Sequence, residues 1–154
     1  MAVTVVPKEK MTSMAGTRFE PGEWITIDQD RINAFADCTE DHQYIHIDEE
    51  RAAQTPFGGT IAHGFLTLSM LVKMMEGVGL MPENVVMGIN YGFDKIRFLA
   101  PVRAGKRVRV HAEVISVEQK DDNRFLVKQG ISVEIEGEET PALVAEWLSM
   151  VVTG

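Results

Sequence analysis

Cysteine is the scarcest residue among those that carry chemistry in this 154-residue sequence, which contains only Cys38. A single thiol excludes an internal disulfide and a zinc site of four cysteines, and it fits a reducing compartment, so we expect a cytoplasmic protein. The sequence also lacks the apolar run of about 18 residues that a transmembrane helix needs, and its N-terminus has neither the basic nor the apolar region of a signal peptide. We therefore expect no association with a membrane.

Positive charge is also in short supply. The sequence has 15 Lys and Arg against 23 Asp and Glu, a formal net charge of −8 at pH 7. Contacts to phosphate backbones require concentrated Lys and Arg, so we expect no nucleic-acid partner. The glycine patterns GxGxxG and GxxxxGK[ST] are missing as well, which leaves a nucleotide-binding loop poorly supported.

The rest of the composition is that of an ordinary globular domain. Hydrophobic residues make up 45% of the chain and charged residues 25%, and a chain of this length buries about 70% of its unfolded surface. Without internal repeats, residues 1–154 are interpreted as a single domain. Residues 1–15 lack clear periodicity and are predicted to form an irregular N-terminal arm.

Strand and helix signals alternate in the first half of the sequence. Residues 22–27 are predicted to form a short strand, after which Asp28 is a suitable N-cap for a helix that ends near residues 38–40. A single helical turn is predicted for residues 49–54. From Thr60 the pattern is apolar around most of the helical circumference for about twenty residues, which predicts a long helix buried on all sides. Gly77, Gly79 and Pro82 are expected to end it.

Strand-like patterns occupy the second half. Residues 85–99 are predicted to form a long strand whose apolar phase slips at Asp94–Lys95, which indicates a β-bulge. Alternating strands follow at residues 107–117 and 125–135, and residues 143–152 are apolar on both faces, which is typical of an internal strand. A curved antiparallel sheet around one buried helix is an α+β arrangement. Because such a sheet leaves open edges, we expect a homodimer that extends or covers it.

The stretch from Asp41 to Gly64 carries most of the chemistry. Asp41 and His46 are close enough in sequence for a loop to bring carboxylate and imidazole to one water molecule, where the pair can move protons between water and a substrate carbon. Gly64 opens the apolar helix, and an unpaired backbone N–H there, with no Cβ in the way, can polarise a carbonyl oxygen.

Less specific interpretations of these residues stay open. An Asp–His pair in a loop is usually a structural hydrogen bond, and a histidine at the position of His63 usually bonds to backbone. A metal site is the second chemical interpretation, with His42, His46, Asp48 and His63 as candidate ligands. The isoleucines on both sides of His46 indicate extended backbone, in which His42 and His46 do not share a helical face, and no H-E-x-x-H pattern occurs. Ser69 lies within the helix pattern without a G-x-S-x-G elbow, so it is a poor nucleophile candidate.

Two stretches of the sequence resemble the MaoC-like (R)-specific enoyl-CoA hydratases. The first is D-H-Q-Y-I-H-I-D followed by F-G-G-T-I-A-H-G-F-L-T-L-S, and the second, N-Y-G-F-D-K-I-R-F-L-A-P-V-R-A-G-K-R-V-R, is similar to the NodN-like branch. The resemblance extends from about Trp24 to Val110. It implies a hot-dog fold, in which five antiparallel strands wrap around a long central helix, and a homodimer or higher oligomer.

The resemblance also implies a reaction and its residues. The reaction is reversible syn hydration of a trans-2-enoyl-CoA to an (R)-3-hydroxyacyl-CoA in fatty acid metabolism, and it needs no metal and no other cofactor. Asp41 and His46 match the pair that activates the water, and Gly64 matches the oxyanion-hole glycine. Gln43, His63 and Ser69 are expected to support the site. Many members have Asn-Pro where this sequence has Gln43 and Tyr44, and residues beside the catalytic pair can shape the tunnel that holds the acyl chain.

Two other functions are compatible with this fold, and several basic residues are candidates for binding CoA. A thioesterase on the same fold would activate water toward the thioester carbonyl, and a non-catalytic acyl-thioester binding module would bind without turnover. Lys95, Arg97 and Arg103 are the principal candidates for contacts to the CoA phosphates. Arg97 lies among apolar neighbours, so a structural salt bridge is as good an interpretation for it as a ligand contact.

Overall fold

The computed structural model of the protein describes residues 3–154. Its strands and helices, in chain order, are β1 (Thr4–Val6), a 3-10 helix (Lys8–Met14), β2 (Ile25–Thr26), α1 (Gln29–Thr39), α2 (Tyr44–Ile47), α3 (Glu49–Ala52), α4 (Gly64–Ser69), α5 (Leu71–Met74), β3 (Leu80–Pro82), β4 (Val85–Phe98), β5 (Arg107–Asp121), β6 (Arg124–Ile135) and β7 (Leu143–Thr153). None of the helices in this part of the chain is long and apolar enough to cross a membrane.

Five strands form one antiparallel sheet in the order β2-β5-β6-β7-β4. In β5 and β6 the alternation predicted from the sequence is confirmed, because the apolar positions face the core and the charged positions face outward. Val110 lies opposite Val133, and both are fully buried, whereas Arg109 lies opposite Glu134 on the outer face. These alternating faces bury one side of the sheet against the helices and leave the other side polar.

The strand β4 lies at one edge of the sheet, and β7 separates it from β6. The bulge predicted at Asp94–Lys95 is confirmed by a register shift between Phe93 and Lys95, and two further shifts occur in the same strand. The bulges turn both Phe93 and Ile96 toward the core although they are three residues apart. Much of the remaining apolar surface of β4 is exposed.

The prediction of a twenty-residue helix buried on all sides is wrong. Residues 61–63 are extended, and Ile61 forms an isolated antiparallel β-bridge with Arg103. The helix begins only at Gly64. It ends at Ser69, and Met70 separates it from the short α5. Phe65 and Val72 are 68% and 60% exposed, so one side of this helical segment faces away from the core.

Two other expectations differ in detail. The N-terminal arm is partly regular, because β1 pairs in parallel with β3 and the 3-10 helix buries Met11 completely. The strand expected at residues 22–27 is reduced to β2, although the Gly22 N–H still donates to the Val110 carbonyl at 2.9 Å and continues the same edge.

Candidate active site

Helix α1 delivers the chain to the candidate site. The Asp28 carboxylate accepts a hydrogen bond from the Arg31 N–H at 2.8 Å and caps the start of the helix, as predicted. At its end Glu40 adopts a left-handed conformation with φ of 63°, which turns the chain sharply into Asp41. The Asp41 carboxylate then accepts the Gln43 N–H at 3.3 Å, and the helical turn α2 follows. The extended backbone predicted around His46 is therefore wrong, because His46 lies in α2.

His46 is buried, and a single contact decides which of its ring nitrogens is available. Its Nδ1 lies 2.7 Å from the carbonyl oxygen of Ile61. A carbonyl can only accept, so Nδ1 carries the proton and Nε2 keeps its lone pair. Burial lowers the pKa of His46, and neighbouring His63 lowers it further, against the opposing effects of the Ile61 hydrogen bond and of Asp41. At neutral pH His46 is thus a neutral base.

His63 stacks on this imidazole. The two ring centroids are 3.8 Å apart and the ring planes differ by 22°. The Nε2 of His63 donates to the backbone carbonyl of Asp41 at 3.0 Å and lies 4.0 Å from its carboxylate. The Phe35 ring also packs against His63, with the ring centroids 4.9 Å apart. Asp41, His46 and His63 therefore meet, each offering one polar atom within 4.8 Å of the others.

The stacking bears on the metal interpretation. Imidazole binds a metal in the plane of its ring, and two rings stacked at 3.8 Å cannot both place one ion in their planes. The other candidate ligands are engaged elsewhere, because His42 pairs with Asp37 at 2.9 Å and the Asp48 carboxylate caps α3 through the Arg51 N–H. The donor set fits proton transfer better than metal binding.

A partly buried network of polar side chains holds α2 in place. The amide nitrogen of Gln29 donates to the His46 carbonyl at 2.8 Å, and its amide oxygen lies 2.6 Å from the hydroxyl of the fully buried Thr60. The Thr60 N–H donates to the Glu49 carboxylate at 2.9 Å. The N–H and hydroxyl of Thr60, with Arg103 nearby, hold the pKa of Glu49 below its usual value. Because Ile61 follows Thr60, the same network places the carbonyl that orients the His46 ring.

Gly64 lines a cavity of about 270 Å³ at the start of α4. A Cβ added to Gly64 would meet ring atoms of Phe98 at 3.0 Å, so only glycine lets the backbone and this ring approach so closely. The Gly64 N–H donates to no acceptor within residues 3–154. Most of the residues that line the cavity are apolar. Besides Gly64 and Phe98 they are Phe57, Ile61, Ala62, Thr67, Leu99, Ala100, Pro101, Val102, Ala142 and Leu143.

The remaining predicted residues lie apart from this cluster. Ser69 donates its hydroxyl to the Phe65 carbonyl at 2.7 Å and lines a second, smaller cavity. Gln43 is exposed, and its carbonyl accepts the His46 N–H at 3.0 Å. Neither side chain joins Asp41, His46 and His63.

The candidate CoA-binding residues separate into two groups. Lys95 and Arg97 are exposed on β4 and form no ion pair within residues 3–154, so the structural salt bridge considered for Arg97 is absent there. Arg103 instead donates to the Phe57 carbonyl at 2.9 Å and approaches Glu49 at 4.0 Å. A Cβ on Gly59 would overlap that guanidinium, so Arg103 is built into the loop before α4.

Three residues of the site were not singled out from the sequence. Gln29 and Thr60 belong to the network that holds His46, and Thr67 lines the cavity of Gly64. Thr67 has a detectable signal, since it is one of the few polar residues within a mostly apolar helix pattern. Gln29 and Thr60 have none, because their importance depends on contacts over 17 and 31 positions.

Comparison with known proteins adds a family to this geometry. The family model of the MaoC like domain matches residues 10–135. Nodulation protein N of Rhizobium meliloti is 46% identical over 142 residues, covering 91% of this chain and 88% of that protein. The 3-hydroxyacyl-thioester dehydratase Z of Mycobacterium tuberculosis is 43% identical over 136 residues, covering 88% of this chain and 89% of that protein. An R-hydratase structure from Pseudomonas aeruginosa superposes with a TM-score of 0.71 at 25% identity, covering 91% of this chain and 83% of that one.

Proposed function

The chain belongs to the MaoC-like dehydratase family and has its hot-dog fold, and on that premise we propose that it is an (R)-specific enoyl-CoA hydratase. The reaction is the reversible syn addition of water to a trans-2-enoyl-CoA. The observation that carries the proposal is the His46 ring. Its Nδ1 is committed to the Ile61 carbonyl, so that Nε2 keeps its lone pair, and the ring shares with the Asp41 carboxylate a cluster whose polar atoms lie within 4.8 Å of one another. A neutral base next to a carboxylate is the arrangement that activation of water requires.

The proton movements follow from this arrangement. His46 Nε2 takes a proton from water as the water oxygen bonds to C3 of the enoyl group, and the electron pair of the double bond moves toward the thioester oxygen. Asp41 accepts a hydrogen bond from the second water hydrogen and stabilises the imidazolium. The imidazolium then returns the proton to C2 on the same face, which makes the addition syn. The thioester supplies the electron sink, so this scheme uses no cofactor.

Gly64 is assigned to the developing enolate. Its N–H has no acceptor within residues 3–154, and Gly64 lines the cavity and directly follows the buried His63 in the chain. An N–H that is already oriented toward the carbonyl oxygen stabilises the charge that develops there without reorganisation.

The substrate is assigned as a CoA thioester on the surface near the cavity. Lys95 and Arg97 are the free cations on the strand that carries Phe98, and Phe98 lines the cavity. We assign these two residues to contacts with the CoA phosphates. Arg103 is assigned instead to stabilising the loop before α4. A cytoplasmic location fits a substrate of this kind and the single exposed thiol of Cys38.

A homodimer is part of the proposal. The exposed apolar residues concentrate on β4 and the adjoining segment and on one side of α4 and α5: Phe65, Val72, Val85, Val86, Met87, Ile89, Tyr91, Phe98 and Leu99. An unpaired edge strand with this much apolar surface is a pairing site for a second copy.

The test is loss of the enoyl-thioester absorbance when purified protein meets crotonyl-CoA, followed by chiral analysis of the product. We expect (R)-3-hydroxybutyryl-CoA, and we expect Asp41→Asn to lose activity by several orders of magnitude while remaining folded. Formation of the (S) product, or near-normal turnover by the variant, would contradict the proposal. Release of free CoA from a saturated acyl-CoA would identify a thioesterase, and binding of both short and C8–C12 enoyl-CoA without turnover would identify a binding module.

A further inference from the structure

Thr67 lines the same cavity as Gly64. Its side chain lies in α4, one turn after Gly64, and only 3% of the residue is exposed. Both residues line the cavity of about 270 Å³. Within residues 3–154 the Thr67 hydroxyl makes no hydrogen bond with any protein atom.

Other helical hydroxyls of this protein behave differently. Thr39 and Ser69 each donate to the carbonyl four residues earlier, at 2.7 Å in both cases. That back-bond is the usual partner of a hydroxyl within a helix. Thr67 has the same option in the His63 carbonyl, yet that carbonyl accepts only the Leu66 and Thr67 N–H groups.

Thr67 lines the cavity and its hydroxyl has no protein partner in the described part of the chain, so the hydroxyl is available to donate to an acceptor on the molecule that fills the cavity. Side chains of an α-helix lean toward its N-terminus, which directs Thr67 toward the Gly64 end. The N–H of Gly64 and the hydroxyl of Thr67 are then two donors in an otherwise apolar cavity.

We propose that the Thr67 hydroxyl is a second hydrogen-bond donor to the thioester carbonyl oxygen, beside the Gly64 N–H. This inference rests on the proposed hydration, because it assigns Thr67 to the oxygen on which enolate charge develops. Two donors hold the carbonyl in one orientation, and both hydrogen bonds strengthen as negative charge accumulates. Thr67 is thereby a catalytic residue that touches the reacting group.

The kinetic test compares Thr67→Val with Thr67→Ser. Valine keeps the shape and removes the hydroxyl, so we expect kcat to fall about 10²-fold with little change in KM, as for loss of one oxyanion donor. Serine restores the hydroxyl, and we expect most of the activity to return. Thr17→Val is the matched control. It removes a hydroxyl that donates to the Met14 carbonyl at 2.7 Å and belongs to a segment fifty positions before Thr67, so we expect normal activity.

A spectroscopic readout separates a contact with the substrate from a structural role. Bound 2,4-hexadienoyl-CoA absorbs at longer wavelength when its carbonyl is polarised, and Asp41→Asn prevents its turnover. We expect the red shift of the ligand in Asp41→Asn to decrease in the double variant Asp41→Asn/Thr67→Val and to return with Asp41→Asn/Thr67→Ser. An equal red shift in all three proteins overturns the role of Thr67, even if wild-type protein hydrates crotonyl-CoA. If the red shift decreases with Thr67→Val but the wild-type protein has no hydratase activity, the contact between Thr67 and the carbonyl stands and the proposed reaction is overturned.

Discussion

The Nδ1 atom of His46 lies 2.7 Å from the carbonyl oxygen of Ile61, fifteen positions further along the chain. This single contact sets the tautomer of the ring, because a carbonyl demands the proton on Nδ1. The Ile61 N–H in turn donates to the Ile45 carbonyl at 3.0 Å. These two hydrogen bonds hold residues 45–46 and Ile61 together. The packing of the two segments therefore leaves the lone pair on Nε2 of His46.

The buried position of His46 predicts the pH dependence of activity. Burial and His63 lower its pKa from the ordinary value of 6.5, so the neutral base persists below that pH. We expect kcat/KM to be flat through neutrality and to fall only on the acid side, with an apparent pKa below 6.5. A pH profile with crotonyl-CoA measures this, and an acid limb centred above 6.5 would contradict the assigned base.

The lowered pKa of His46 also predicts how the free energy of unfolding depends on pH. The unfolded chain binds the His46 proton more tightly than the folded one, so stability falls as pH drops from about 6.5 toward the folded-state pKa and is unaffected at higher pH. We expect His46→Gln to reduce the slope of the unfolding free energy against pH in that window. Urea unfolding at several pH values measures the slope, and an unchanged slope would count against the lowered pKa.

The Gln29 network predicts a loss of positioning at a distance from the reacting atoms. Gln29→Leu removes the donor to the His46 carbonyl and the acceptor near Thr60, so we expect kcat to fall about tenfold with a smaller effect on KM, and unfolding stability to fall by about 1–3 kcal/mol. Asn33→Ala is the control, since it removes only the outer partner of Gln29, at 2.9 Å. Equal effects of the two variants on kcat would show that Gln29 does not act through His46.

The contact between Gly64 and Phe98 predicts the effect of a single methyl group. Gly64→Ala introduces a Cβ about 3.0 Å from the Phe98 ring, at a helical position where alanine is favoured over glycine by about 1 kcal/mol. We expect the thermal midpoint to change little and kcat/KM to fall at least tenfold, because the methyl group obstructs approach to the N–H. The double variant Gly64→Ala/Phe98→Leu relieves the clash with the ring. If it regains full activity, the loss in Gly64→Ala comes from the clash with Phe98, and the methyl group does not itself obstruct the N–H.

The exposed strand β4 predicts the oligomeric state. Ile89→Lys places a charge in the apolar surface of this edge strand, where Ile89 is 48% exposed, and we expect a dimer to become a monomer in analytical ultracentrifugation. Ile115→Lys is the matched control, since Ile115 is also exposed but lies on β5, away from that edge. A wild-type monomer, or equal dissociation by both variants, would place the interface elsewhere.

The two groups of basic residues predict two kinds of kinetic change. Removal of Lys95 and Arg97 should raise KM for enoyl-CoA severalfold, with less effect at high salt and little change in kcat, because exposed cations act on phosphate mainly through screened attraction. Arg103→Ala should instead lower the thermal midpoint, because Arg103 holds the Phe57 carbonyl and approaches Glu49. A rise in KM for Arg103→Ala at unchanged stability would reverse this assignment.

Several features of the fold were predictable from the sequence because they depend on neighbouring residues. The cap at Asp28 and the bulge near Asp94 were both identified correctly, as were the alternating faces of β5 and β6. Each depends on side chains within a few positions and on the repeat of a helix or strand. The two motif stretches, at residues 41–69 and 90–109, were together also sufficient to indicate the family.

The sequence by itself thus determined the sheet, its faces and the residues that carry the family resemblance. Only the tertiary structure decided that the central helix is short and interrupted, that His46 stacks on His63, and that Thr67 shares a cavity with Gly64. The physical reason is that an apolar side chain contributes to the same sequence periodicity whether it is buried in the core or exposed, as the exposed Phe65 and Val72 illustrate. Contacts such as His46 with Ile61 join segments separated by a loop, and their geometry is set by how those segments pack on the sheet.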